Sequence, residues 1–189
     1  MKENSLKINN ALSIELCHYL TSVLLLESKI NKNKDLSVPD ALASIQSNVF
    51  SDTILENVWP FLENIIKEEL IPTYSYLRLY KNNNILPKHI DKTSCEISMT
   101  IQLGRSHNYV WPIFIGKNKF ELAEGDGIIY KGYEVPHWRE KCKGPDGYYS
   151  GHLFLHYVKA NGKFKELAGN KRWKKHPFIR SRSNKMNTK

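Results

Sequence analysis

The 189-residue chain is long enough for one domain with a buried core and too short for two full ones. Its 41% hydrophobic and 25% charged residues exclude wholesale disorder. The formal net charge of +9 is concentrated: residues 162–189 carry ten Lys or Arg against Glu166 alone, leaving 18 bases and 18 acids in residues 1–161. The polar start predicts no signal peptide, and the longest apolar run, 23–26, is far too short to cross a bilayer. Three scattered cysteines, Cys17, Cys95 and Cys142, give neither a disulfide framework nor paired zinc ligands. A reduced, cytoplasmic protein without a membrane segment is expected.

In chain order, the first helix is predicted over 13–28, where Ile14, Leu16, Cys17, Leu20, Val23 and Leu24 recur at helical spacing behind the N-cap Ser13. A second helix is predicted over 51–69, interrupted near Pro60, with Ile54, Val58, Phe61, Ile65 and Ile66 as its apolar stripe. After Pro72 the period falls to two. Strands are predicted at 74–81, 95–103, 110–115, 127–131 and 151–158. Tyr74, Tyr76, Arg78 and Tyr80 share one face of the first. In the second, Cys95, Ile97, Met99, Ile101 and Leu103 alternate with Glu96, Ser98, Thr100 and Gln102. Helices followed by short strands predict an α+β jelly roll, cupin-like, with its helices packed on one sheet. The body is expected to run over 1–161, with helices to about residue 70 and a β-core over 72–160, ahead of a basic arm at 162–189. That arm is read either as a solvated tail or as an attachment for nucleic acid or a ribosomal target by counterion release. Trp173 and Phe178 within it fit base stacking and docking on the body equally.

The chemistry centres on His89-Ile90-Asp91. In an extended segment residues i and i+2 point to one side, so this imidazole and carboxylate converge on one ion. His137, 48 residues on, follows the strand predicted at 127–131 and supplies a third ligand. Two histidines and one carboxylate on one face of a metal leave the remaining positions open, the pattern of non-haem Fe(II) oxygenases. His18 falls in a helix, His107 in a turn and His176 in the basic arm. His152 and His156 share a face of the last strand, where such residues more often pack or support a site than bind metal.

The strand at 76–80, His89-x-Asp91, an alternating strand, a Gly-Asp turn and His137 before a closing strand together resemble the Fe(II)- and 2-oxoglutarate-dependent dioxygenases, in their prolyl-4-hydroxylase-like branch. The segments around Tyr74, Cys95 and Pro136-His137-Trp138-Arg139 resemble a bacterial subgroup of it, and the likeness covers about residues 11–160. It implies a double-stranded β-helix core and a hydroxylase acting on a free or peptidyl amino acid. Its cofactors would be Fe(II) on His89, Asp91 and His137, 2-oxoglutarate and dioxygen as co-substrates, and ascorbate as accessory reductant. Asp91 favours hydroxylation over halogenation, since related halogenases lack this carboxylate. The chain departs from the family at the start of the last strand. There a cation for the distal 2-oxoglutarate carboxylate is expected, but 147–152 contains no Arg or Lys. Arg139, two residues past His137, is the leading replacement, with Tyr80 as the hydroxyl donor and Lys131, His152 and Lys92 as further candidates. The competing assignments are a surface ion pair of Arg139 with Glu134 or Glu140, and plain core packing for Tyr80. Arg78, Glu96, Trp111 and Trp138 are candidates for the substrate pocket. The rival classes are a differently metallated or non-catalytic jelly roll and a nucleic-acid-binding module built on the arm.

Overall fold

A computed structural model of the chain describes residues 4–33 and 35–167, so the arm from residue 168 onward, with Trp173, His176 and Phe178, lies outside the described residues. Ten strands and two long helices follow in the order β1 (Ser5–Ile8), α1 (Ile14–Ile30), β2 (Ala43–Gln46), α2 (Val49–Ile66), β3 (Leu70–Lys81), β4 (Leu86–His89), β5 (Ile97–Arg105), β6 (Ile113–Ile115), β7 (Asn118–Phe120), β8 (Gly127–Tyr130), β9 (His137–Arg139) and β10 (Tyr149–Lys159). The strands form two antiparallel sheets. The major sheet has the order β1-β8-β5-β10-β3-β2 and the minor sheet β4-β9-β6-β7. Two facing sheets with helices on the outer side of the larger one form a double-stranded β-helix.

The five predicted strands all exist, at shifted ends. Five more escaped the period count because they are only three or four residues long, too short for an alternation to register. Two of these, β1 and β2, lie among the helices in sequence and extend the major sheet at its edges. Cys95 lies in a 3-10 turn, Thr93–Cys95, before β5 begins.

Ser13 caps α1 by accepting the Leu16 N–H. Asn48 and Ser51 form a reciprocal capping box that starts α2 two residues earlier than predicted. Pro60 does not interrupt α2, because it faces solvent, where water can satisfy the carbonyl its missing N–H leaves free. The buried stripe of α2 is Ile54, Leu55, Trp59, Leu62 and Ile66, while Phe61 faces out. In α1 the buried positions are Cys17, Leu20, Thr21 and Leu24.

The main core lies between these stripes and the outer face of the major sheet, which presents Leu77, Leu79, Ile97, Met99, Ile101, Leu103, Leu153 and Leu155. The opposite face of the same strands carries polar and aromatic residues, among them Tyr80, Ser98, Thr100, Gln102, His152 and His156, and these are buried too. Alternation that in an ordinary sheet sorts core from solvent here sorts an apolar core from a polar interior.

Helix α1 meets the sheet closely at Thr21. Its hydroxyl accepts the Gly104 N–H at 2.8 Å, and a Cβ at Gly104 would lie 2.9 Å from the same oxygen. Gly104→Ala is therefore expected to overpack this contact and destabilise the fold by about 1–3 kcal/mol, read as a lowered urea midpoint with an unchanged m-value.

Candidate metal centre

Strands β4 and β9 pair so that His89 stands directly opposite His137. Asp91, just beyond β4, is held in place by its N–H, which donates to the Gly132 carbonyl at 2.9 Å. The result is one carboxylate oxygen between two imidazoles: Asp91 Oδ1 is 3.5 Å from His89 Nε2 and 3.4 Å from His137 Nε2. One ligand atom from each of the three residues lies within 4.8 Å of the others. Each imidazole is also oriented from behind. His89 Nδ1 donates to the Pro87 carbonyl at 2.8 Å, and His137 Nδ1 to the Val135 carbonyl at 3.0 Å. A carbonyl only accepts, so Nδ1 carries a proton in each ring and Nε2 is the atom turned towards Asp91: protonated it donates to the carboxylate, and deprotonated it offers a lone pair to a metal. Burial works against ionised Asp91, but the hydrogen bonds to His137 and His89 outweigh it and hold the carboxyl far below its usual range. The bond to Asp91 raises His89 despite its burial. A doubly imidazole-flanked, ionised carboxylate is a donor set for a divalent cation.

Around the triad lies a cavity of about 420 Å³ whose walls include Tyr74, Tyr76, Arg78, Tyr130, Phe154 and His156. Arg78 does line it, but its charge is already matched. Its Nε donates to Asp35 Oδ2 and its Nη1 to the Tyr80 hydroxyl at 2.7 Å. Asp35 also accepts from Tyr76 and from the backbone N–H groups of Ser37 and Val38. Its carboxyl stays below the ordinary range because Arg78 and these bonds overcome burial. Sequence reasoning missed Asp35, which sits in the connection between α1 and β2 where no periodicity marks it.

Arg139 is not a surface residue: it is 1% exposed and pairs with neither Glu134 nor Glu140. Its Nη1 donates to the Trp111 carbonyl and its Nη2 to His152 Nδ1 at 3.3 Å, its guanidinium lies 5.1 Å from the Trp111 ring centroid, and its Nε has no partner among the described residues. Tyr80 packs edge-on against Trp111 and His152. Arg139, Tyr80, Trp111 and His152 thus form one buried cluster, which does not itself line the open cavity. Lys131 turns away to pair with Glu134 at 3.1 Å. Lys92 is exposed on the cavity wall. Trp138 stacks on Phe114 beneath Lys88, on the face of β9 opposite His137 and Arg139. Glu96 accepts the Lys159 N–H at 3.0 Å, away from the cavity.

Three further residues shape the centre and carry no signal of their own in the sequence. Tyr130 packs edge-on against His137 at 4.8 Å between ring centroids. Ser98 donates to Asp91 Oδ2 at 3.1 Å and lies 3.0 Å from His156 Nδ1. Gly132 leaves room for both, since a Cβ there would come within 2.4 Å of Asp91 Oδ2 and of Ser98 Oγ.

No family model matches the chain, and no curated protein matches it in sequence. Solved structures do match in fold. A prolyl-4-hydroxylase from Pseudomonas putida aligns with a TM-score of 0.61 at 11% identity, covering 81% of this chain and 91% of that one. A viral collagen prolyl hydroxylase from Paramecium bursaria chlorella virus-1, in complex with 2-oxoglutarate, aligns at 0.60 and 15%, covering 82% and 96%. An oxidoreductase of the 2-oxoglutarate–Fe(II) oxygenase family from Burkholderia pseudomallei aligns at 0.61 and 15%, covering 84% and 86%. The chain has the fold of the 2-oxoglutarate- and Fe(II)-dependent oxygenases, with a His-Asp-His cluster as its candidate iron centre. Within that fold, two of these three neighbours are prolyl hydroxylases. Among the described residues no helix is long and apolar enough to cross a membrane.

Two outcomes follow from the packing of the centre. Gly132→Ala is expected to displace Asp91 and weaken divalent-metal binding by about tenfold or more, measured by Co(II) titration. His152 is held neutral well below its ordinary pKa by burial and by Arg139, Arg78 and Arg105. Below about pH 6.5 the unfolded chain therefore takes up a proton that folded His152 refuses, and its contribution to stability falls with pH by up to about 1.4 kcal/mol per unit. His89, raised rather than lowered, has the opposite slope. Comparison with His152→Asn isolates the first effect: chemical denaturation between pH 7 and 4.5 should show a flatter loss in the variant.

Proposed function

We propose that the protein is an Fe(II)- and 2-oxoglutarate-dependent dioxygenase that hydroxylates an unactivated C–H bond of a free or peptidyl amino acid, releasing succinate and carbon dioxide. The observation that carries this is the carboxylate oxygen of Asp91 set 3.4–3.5 Å from the Nε2 atoms of two imidazoles. His89, Asp91 and His137 would hold the metal through those atoms. Bound there with 2-oxoglutarate, Fe(II) supplies the activation of dioxygen that the protein's own groups lack. The chain's part is positional. The Pro87 and Val135 carbonyls keep the imidazoles aimed, and Ser98 and Gly132 fix the carboxylate. The walls formed by Tyr74, Tyr76 and Phe154 confine a substrate beside the centre.

Arg139 is the proposed anchor for the distal carboxylate of 2-oxoglutarate, assisted by Tyr80. What supports it is a fully buried guanidinium with no carboxylate partner and an unused Nε–H, an arrangement that an anionic ligand would complete. The catalytic unit is proposed to span residues 1–161, with the basic arm beyond it, and its setting is proposed to be cytoplasmic. Ascorbate is proposed as the accessory reductant.

Purified protein given both Fe(II) and 2-oxoglutarate in air is expected to form succinate, and to form none when either is omitted or in His137→Ala. Anaerobically, the two should give a visible charge-transfer absorption, and Arg139→Ala should raise the 2-oxoglutarate concentration needed for it by roughly tenfold or more. An unchanged concentration in Arg139→Ala, with a raised one in Arg78→Ala, would move the anchor to Arg78.

A further inference from the structure

Only one oxygen of Asp91 faces the triad imidazoles. The other, Oδ2, accepts from Ser98, and the Asp91 carboxylate lies beside two ligand-type groups that the proposed reaction leaves unused, the Cys95 thiol and the His156 imidazole. One ligand atom from each of Asp91, Cys95 and His156 lies within 4.8 Å of the others, the same criterion that the triad meets. We propose that these three residues form a second metal position, sharing Asp91 with the first and suited to Zn(II), and that an ion bound there competes with Fe(II) for the shared carboxylate. This goes beyond the oxygenase reading and does not rest on it.

The donor chemistry differs between the two sides of Asp91. Two imidazoles and a carboxylate suit Fe(II), whereas a set containing sulfur shifts preference towards Zn(II) and other thiophilic ions. The position is also built in advance of any ion. His156 on β10 stands opposite Ser98 on β5 in the strand register, and the Ser98 hydroxyl lies between Asp91 Oδ2 and His156 Nδ1 at 3.1 and 3.0 Å. Cys95 is fixed by its N–H to the Lys92 carbonyl at 2.9 Å and by its own carbonyl, which accepts the Tyr133 N–H at 3.1 Å. Its sulfur rests 3.1 Å from the Tyr74 hydroxyl, and the Tyr74 ring packs on His156 at 4.5 Å between centroids. Backbone hydrogen bonds and ring packing therefore hold all three side chains, so little ordering remains for an ion to impose.

Electrostatics points the same way. No Lys or Arg side chain pairs with Asp91 among the described residues. Burial and the neighbouring Asp91 charge raise the Cys95 thiol, so its sulfur is neutral until an ion replaces the proton. On binding, the sulfur–metal bond forms as the thiol proton leaves to solvent, so one proton is released from Cys95 per ion bound.

The test uses the full chain, metal-free, with reduced thiols and without oxygen, and Co(II) as the probe. A near-ultraviolet thiolate-to-cobalt absorption is expected. It should vanish in Cys95→Ser, persist in Cys17→Ser and Cys142→Ser, persist in His89→Ala, and be erased by added Zn(II). Absence of the band in the wild-type protein, or its survival in Cys95→Ser, would overturn the proposal. Should Cys95→Ser not fold, His156→Asn must weaken Co(II) binding at the thiolate band by about tenfold or more, and unchanged binding would overturn it as well. The visible Fe(II)–2-oxoglutarate absorption reports the triad separately and should be retained in Cys95→Ser. Loss of that absorption in the wild-type protein alone would sink the oxygenase reading and leave the thiolate site standing. Zn(II) should quench the visible absorption at concentrations that rise about tenfold or more in Cys95→Ser; equal sensitivity would remove the competition from the proposal.

Discussion

The architecture of this protein turns on one half-buried carboxylate. Asp91 stays ionised with two imidazoles and the Ser98 hydroxyl around its carboxylate, and no Lys or Arg pairs with it among the described residues. Holding a carboxylate out of water costs several kcal/mol unless nearby donors replace the lost hydration. The cross-strand register of β4 and β9 places the donors, because it sets His89 opposite His137 with both Nε2 atoms within 3.5 Å of Asp91 Oδ1. Shifting either strand by one residue would send an imidazole to the opposite face and strand the charge. Register and electrostatics therefore specify one another.

The rest of the barrel interior handles polarity by different means. At the cavity wall Arg78 and Asp35 neutralise each other, with Tyr76, Tyr80 and two backbone N–H groups completing the hydrogen bonds, so a buried ion pair ties the connection after α1 to β3. Breaking such a pair on one side is far more damaging than never having it, at about 3–5 kcal/mol for the orphaned charge. Gln102 takes the neutral route, donating to the Ser150 hydroxyl and to the Leu103 and Gly151 carbonyls, which secures β5 to β10 without any charge. These parts of the polar interior are closed local networks, whereas the metal centre and the Arg139 Nε–H are left open.

How far the sequence could be read follows from length scales. The period of two in 74–81 and 95–103 is long enough to reveal strands and which residues share a face, and the i, i+2 spacing of His89 and Asp91 is a local geometric fact. His137 could be joined to them because it follows a recognisable strand and the motif order matched a known pattern. What alternation cannot say is which face meets the helices. The polar positions Ser98, Thr100 and Gln102 look like solvent contacts and are instead interior. Asp35 and Gly132 act through partners far away in sequence, and no local pattern encodes such partners. Helix faces were blurred by apolar residues on the outside: Phe61 fits the stripe by spacing, yet it is exposed while Leu55 and Trp59 carry the contact.

The last strand carries no Lys or Arg at its start, and the buried guanidinium that reaches it, Arg139, belongs to a strand of the other sheet. Where a Lys or Arg was expected on β10, the inward position is taken by His152, which cannot serve as a cation because burial and three neighbouring arginines keep it neutral. A neutral imidazole there has a different use. Its Nδ1 accepts from Arg139 of β9, and its Nε2 donates to Ser150, so the guanidinium is held across the barrel interior by a strand of the opposite sheet. A lysine at residue 152 would repel that guanidinium, and a histidine beside a smaller residue at 139 would leave the interior without any positive charge on this side. The two residues make sense as a pair. Together they leave Arg139 inside the barrel without a carboxylate partner among the described residues, and with one N–H still unspent.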